Sequence, residues 1–223
     1  MFRVESEKLV GQIIGDDPSV LILHGAGTAH KDRLRPIAEQ LAGNGIGAFS
    51  FDFSGHGESS GQLAESSLKK RVEQAEIALQ FIVKKPFSVI GSSMGGHIAL
   101  ELLKTHSDIQ SLILFYPGIY TSAAYDVLFT DEFSKIIRQH ESWQQNDVLE
   151  HLKTFPGNLL LVVAEHDQVI PPAVFDLIED SAKSAKSVER ITVPNAEHVL
   201  LPTLMQNSPL YARVIDKIIK LTG

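Results

Sequence analysis

A chain of 223 residues with 43% hydrophobic and 21% charged residues has the composition of an ordinary globular protein, neither disordered nor collagen-like, and is long enough for one continuous α/β core. Its 20 basic against 27 acidic residues, a net charge of -7, leave no electrostatic footprint for nucleic acid or an anionic membrane surface. The lack of any cysteine excludes disulfides, thiolate metal ligands and a catalytic thiol.

No apolar run approaches the roughly 20 residues of a membrane span. The stretch from Met1 to Glu7 carries no signal-like apolar segment. The expectation is a cytoplasmic protein, a monomer or homodimer without stable membrane association.

Along the chain, β-rich runs alternate with helix-period segments. Phe2 to Ile14, broken near Lys8, reads as an antiparallel edge hairpin. Strand Ser19 to His24 precedes helix Arg33 to Gly43, and strand Ile46 to Phe51 precedes helix Ser66 to Lys84, which Pro86 stops. Strand Phe87 to Gly91 leads into helix Gly95 to Thr105, and strand Ser111 to Tyr116 follows. Strand Leu159 to Ala164, helix Ala173 to Ala185, strand Val188 to Val193 and helix Ser208 to Leu221 complete the series. The strand runs are almost continuously apolar, as strands covered on both faces are. The alternation predicts a single α/β domain over 1-223, built on a mostly parallel sheet with helices on both faces.

Between Tyr116 and Leu159 lie 42 residues, more than one crossover helix requires. A cap of two or three short amphipathic helices is expected at about 117-152. It holds Tyr120, Tyr125, Phe129, Phe133 and the lone Trp143. Tyr116, Tyr120, Tyr125, Phe129 and Trp143 are candidate substrate contacts. Six acids in this segment, against Lys135 and Arg138, give it a charge of -4, so repulsion of strongly anionic substrates is expected.

Gly91-Ser92-Ser93-Met94-Gly95-Gly96 sits between an apolar strand and a helix pattern, the context in which a G-x-S-x-G turn exposes a nucleophilic serine. Only Ser93 has glycine two residues to either side. A serine hydroxyl needs a base and a carboxylate to orient that base. In this topology the acid follows a later strand and the histidine follows the last one. Of nine histidines, only His198 lies beyond the last strand. Glu165 and Asp167 both follow Leu159 to Ala164; Asp167 is the choice, with Glu197 a weaker rival. The amide of Met94 and that of Ala26, or alternatively Gly25, are expected to form an oxyanion hole. No cofactor is implied, and neither His166-Asp167 nor Glu197-His198 has the ligand spacing of a metal site.

Together His24-Gly25-Ala26-Gly27, the Ser93 turn, Asp167 with Val169-Ile170-Pro171, and His198 resemble the α/β-hydrolase superfamily over nearly the whole chain. Asp52-Phe53-Ser54-Gly55-His56-Gly57-Glu58-Ser59 looks like the D-x-x-G-H-G-x-S loop of its esterase, monoacylglycerol-lipase and cinnamoyl-esterase-like members. The resemblance implies the α/β-hydrolase fold and hydrolysis of a small-molecule carboxylic ester. Thioesterase, amidase, lactonase, C-C bond hydrolase and non-catalytic ligand binding are the alternatives on the same fold.

Overall fold

The computed structural model describes residues 1-223. Seven strands form the central sheet in the order β3-β5-β4-β6-β7-β8-β9. They are β3 (Gly11–Ile14), β4 (Val20–Leu23), β5 (Ala48–Phe51), β6 (Phe87–Ser92), β7 (Ile109–Phe115), β8 (Asn158–Ala164) and β9 (Ser187–Val193). All neighbours run parallel except the edge pair β3 and β5. The two preceding strands, β1 (Phe2–Val4) and β2 (Glu7–Leu9), pair only with each other.

The expected edge hairpin is therefore divided. The loop after β5 causes the break by occupying the backbone groups between β2 and β3. Asp52 N-H donates to the Val10 carbonyl and Ser60 N-H to that of Lys8, while the Ser59 and Ser60 hydroxyls accept from the Val10 and Lys8 amides.

Along each central strand, successive residues enter different apolar layers, as a period of two dictates. Leu112, Leu114, Leu159, Leu161 and Val163 face one layer; Ile113, Phe115, Leu160, Val162 and Ala164 face the other. The first is covered by α2 (Leu68–Ala78), α3 (Met94–Glu101), α4 (Asp131–Ile137), α5 (Val148–Leu152) and α6 (Pro172–Ser181). The second lies under α1 (Arg35–Gly43), α7 (Leu201–Gln206) and α8 (Ser208–Thr222). Burial on both faces is why the strand sequences show no polar alternation.

The segment between β7 and β8 contains α4, α5 and the 3-10 turns Ser122–Ala124 and Ser142–Gln144. Two helices end earlier than their sequence pattern. At the end of α2 a 3-10 turn intervenes, after which the Val83 and Lys84 amides both bind the Pro18 carbonyl; beyond α6, Lys186 N-H binds Gly157. Helix α7, just past His198, was too short to leave a period. No helix is long and apolar enough to cross a membrane.

Leu161 is fully buried at the centre of β8, between β7 and β9. Leu161→Ala is expected to cost about 2–5 kcal/mol of unfolding free energy, read from the denaturant midpoint at unchanged slope.

Candidate active site

Ser93 occupies the junction of β6 and α3 with φ 51° and ψ -118°, a conformation that costs a non-glycine residue roughly 1–3 kcal/mol. Its backbone is pinned from both sides. Ser93 N-H donates to the Phe115 carbonyl at 2.9 Å, and its own carbonyl accepts from Gly96 and Gly118. A Cβ on Gly91 would stand 2.5 Å from the Gly95 carbonyl oxygen, and one on Gly95 would stand 2.3 Å from that of Leu23. Both glycines are thus required by close backbone approach.

The Ser93 hydroxyl lies 3.1 Å from His198 Nε2, and His198 Nδ1 lies 2.9 Å from Asp167 Oδ2. A carboxylate can only accept, so the ring proton resides on Nδ1 and Nε2 is free to accept from the serine. Asp167 is itself held: its Oδ1 accepts from the Val169 and Ile170 amides at 2.8 and 2.9 Å. Burial pushes this carboxyl up, but the bonds from His198, Ile170 and Val169 outweigh it and keep it below the ordinary carboxylate range. The other acid candidates stand elsewhere. Glu165 caps the Asn195 amide at 2.8 Å, and Glu197 is exposed. Tyr116 packs edge-on against the imidazole, ring centroids 4.7 Å apart.

Gly25 abuts the serine, a Cβ placed on it falling 3.0 Å from Ser93 Cβ. Its carbonyl points into the interior, accepting from His24 Nδ1 at 2.7 Å and Arg71 Nη1 at 3.2 Å. In a planar trans peptide the N-H points opposite the carbonyl, so the Ala26 amide is turned toward the cleft that Ala26 and Ser93 both line. The Met94 amide, at the first position of α3, has no intrahelical acceptor. Neither amide donates to another backbone group.

Behind this loop lies a buried polar cluster. His24 Nε2 accepts from Phe53 N-H at 3.0 Å, and His56 Nδ1 donates to the Ser54 carbonyl at 3.2 Å. Burial, and after it the Arg71 charge, hold His24 well below the usual histidine value and bring His56 down to about 4. Burial, and after it the Lys104 charge, bring His97 down to about 3. Burial brings Arg71 down to about 10, so it remains a cation near neutrality. Asp52, fully buried, accepts from the Lys31 and Glu58 amides and ties the loop after β5 to the loop after β4. Sequence reasoning missed Arg71. The readable signal was an arginine at the helix spacing of Leu68, Ala75 and Ala78, on the buried face of α2.

The cleft around Ser93 and His198 has a volume of about 340 Å³ and is lined by Tyr116 and Tyr120 among the expected contacts. Trp143 lines an adjoining cavity of about 460 Å³ that shares Tyr120 and Val169 with it. Tyr125 and Phe129 are not brought to the cleft, because the insertion folds back onto α2 and α3. The Tyr125 carbonyl accepts from Lys69 N-H, and Phe129 N-H binds the Ser66 carbonyl. None of the six insertion acids lines the cleft. Its one permanently charged lining residue is Arg33, which pairs with no acid, whereas its neighbours Lys31 and Arg35 both engage Asp32. Repulsion from the -4 segment would therefore act from outside the cleft, Glu141 lining the adjoining cavity, while the charge lining the cleft itself is that of Arg33.

A largely parallel sheet with a strained serine after one strand, a carboxylate after a later strand and a histidine after the last defines an α/β-hydrolase. The chain belongs to the family described as serine aminopeptidase, S33, whose model matches residues 16–146. Monoacylglycerol lipase ABHD6 of Bos taurus is 33% identical over 149 residues, 64% of this chain and 40% of that protein. The mouse protein of the same name is 38% identical over 109 residues, 47% of this chain and 32% of its own length. The matches therefore span at most about two-fifths of these curated relatives. Among solved structures, a monoacylglycerol lipase of Paleococcus ferrophilus superposes with a TM-score of 0.74 at 17% identity, covering 96% of this chain and 100% of that one. Est1E of Butyrivibrio proteoclasticus, solved with ferulic acid bound, gives 0.71 at 17% identity, covering 96% and 97%.

Gly95→Ala is expected to force α3 away from the Leu23 and His24 carbonyls. The cost is about 1–3 kcal/mol, checked by thermal unfolding of the purified variant against Gly43→Ala, a site with open space around it.

Proposed function

We propose that this protein is a serine esterase that hydrolyses carboxylic esters of small to medium acyl groups through an acyl-enzyme. The observation that carries the reading is the continuous relay from Asp167 through the His198 ring to the hydroxyl of a strained serine, with contacts of 2.9 and 3.1 Å.

Ser93 Oγ attacks the ester carbonyl carbon as His198 Nε2 takes the hydroxyl proton, and the carbonyl π electrons move onto oxygen. The Ala26 and Met94 amides stabilise that oxyanion, typically by about 2.7–4 kcal/mol per donor. Collapse expels the alcohol oxygen, which receives the proton from His198. Water, deprotonated by the same nitrogen, then attacks the acyl-serine and releases the acid, and Ser93 regains its proton. Asp167 holds the tautomer and offsets the imidazolium charge.

The names of the sequence relatives, monoacylglycerol lipases, favour an ester substrate, and the 340 Å³ cleft suits a short or medium acyl group. The family description names aminopeptidases, but Arg33 in the cleft would repel the α-ammonium group such substrates present. Thioesters, lactones and cleavable C-C bonds pass through similar oxyanions and are the alternatives on this triad; non-catalytic ligand binding is the alternative outside it. The reading places the enzyme in the cytoplasm, as a monomer or homodimer with no stable membrane association.

Short p-nitrophenyl esters are expected to be hydrolysed and a fluorophosphonate probe to label the protein. Ser93→Ala should abolish labelling and reduce turnover roughly 10⁴-fold or more. Labelling without turnover would replace the esterase with a binding protein.

Matched p-nitrophenyl esters with neutral and carboxylate-bearing acyl chains test the cleft's charge. The anionic ester is expected to show the higher kcat/KM at low salt, by roughly 3- to 10-fold, and Arg33→Gln to remove that preference. A preference for the neutral ester that Arg33→Gln leaves unchanged would refute this selectivity.

A further inference from the structure

Arg71 is the largest fully buried side chain in the protein, and no carboxylate pairs with it. Its guanidinium meets the Gly25 carbonyl through Nη1 at 3.2 Å and His56 Nε2 through Nη2 at 3.1 Å. The rings of Phe53 and Phe129 lie 4.9 and 5.0 Å from its central carbon, and its Nε has no partner. Burying a cation without a counter-charge is unfavourable, and an aliphatic side chain of the same length would fill this space without that penalty. A purely packing role therefore does not explain a guanidinium here. Nor does ligand binding, because Arg71 is sealed beneath the cleft floor and lines none of the cavities described above.

The polar contacts made by the cation point to its role. One is a carbonyl belonging to the peptide whose N-H is turned toward the cleft. The other is a histidine locked as an acceptor, because its second nitrogen donates to the Ser54 carbonyl. His24, donating to the same Gly25 oxygen, is likewise locked by the Phe53 amide.

We infer that Arg71 is a positioning residue for the oxyanion hole, holding the Gly25 carbonyl from the interior so that the Ala26 amide stays aimed at the reacting centre. The inference rests on the serine-hydrolase reading. A charged donor on the carbonyl also polarises the peptide, which strengthens its N-H as a donor. Without the guanidinium, the Gly25 carbonyl keeps only the His24 Nδ1 donor, and glycine's backbone freedom lets the peptide between Gly25 and Ala26 swing about that single contact. The Phe129 contact gives the insertion a part in this, since it closes the outer face of the cation.

The test compares Arg71→Met, which keeps length and removes charge, with Arg71→Lys, which restores a cation. For a p-nitrophenyl ester, Arg71→Met is expected to lower kcat roughly 10²- to 10³-fold, the effect of losing one oxyanion donor, with KM within about twofold. Affinity for a trifluoromethyl ketone, whose adduct with Ser93 carries an oxyanion, should fall by the same factor. Arg71→Lys should recover at least about tenfold of the lost kcat. Should Arg71→Met not fold, Arg71→Gln, neutral and too short to reach Gly25, takes its place. A kcat within about threefold of the parent in the neutral variant would overturn the inference, as would a loss that appears equally in KM and that lysine does not restore. A crystal structure of the neutral variant gives a readout independent of turnover. A Gly25–Ala26 peptide unmoved there refutes Arg71 positioning, whereas a parent protein inert toward all esters refutes the esterase reading instead.

Discussion

The backbone of Ser93 sets the terms for the rest of the molecule. A non-glycine residue at φ 51° relaxes unless its neighbours hold it, and here they hold it at three carbonyl and amide contacts and through two glycines with no room for a side chain. Strand β7 supplies one of those contacts at its last residue, and the chain immediately beyond it supplies another. The parallel sheet thus acts as a clamp on one peptide unit. Its layers, packed on both faces, provide the rigidity that such a clamp needs.

Around that fixed point, each polar group is oriented by another that has no freedom left. The Asp167 carboxylate is set by two amides of its own turn, and that fixes which imidazole nitrogen bears the proton. The Gly25 carbonyl is set by His24 and Arg71, and that fixes where the Ala26 amide points. The two chains of constraint come from opposite sides of the serine, one from the loops after β8 and β9 and the other from the loops after β4 and β5. They meet in the cleft that Gly25, Ala26, Ser93 and His198 line together. The likeness to the S33 family spans residues 16–146, which hold the Ser93 turn and the loops after β4 and β5, and the likeness to esterase structures is one of fold.

The parts legible in the sequence were those written as local pattern or chain order. Strands such as Leu159 to Ala164 are unbroken apolar runs, and the Ser93 turn declares itself by its paired glycines. Asp167 and His198 followed from their order relative to the strands. Parts that depend on how distant segments meet were not legible. Tyr125 and Phe129 lie in an aromatic insertion much as Trp143 does, yet backbone bonds to Ser66 and Lys69 turn them away from the cleft. The acids of that insertion summed to a charge, yet none of them lines the cleft. Arg71 was visible only as an oddity on an apolar helix face, and the edge hairpin was split by a loop some 50 residues further along.

The three buried imidazoles of His24, His56 and His97 also bear on the conditions under which this fold survives. Each is held in its neutral form, first by burial and then by a nearby cation, Arg71 for the first two and Lys104 for the third. An unfolded chain takes up protons on these rings as the medium acidifies through about pH 6.5, whereas in the native molecule His56 refuses one until about pH 4 and His97 until about pH 3, and His24 too is held below its usual value. Every step downward across that window shifts the balance toward the unfolded chain. Mild acid therefore loosens the protein, and the same unreactive imidazoles that keep the site's scaffold in a single hydrogen-bonding state make it acid-labile.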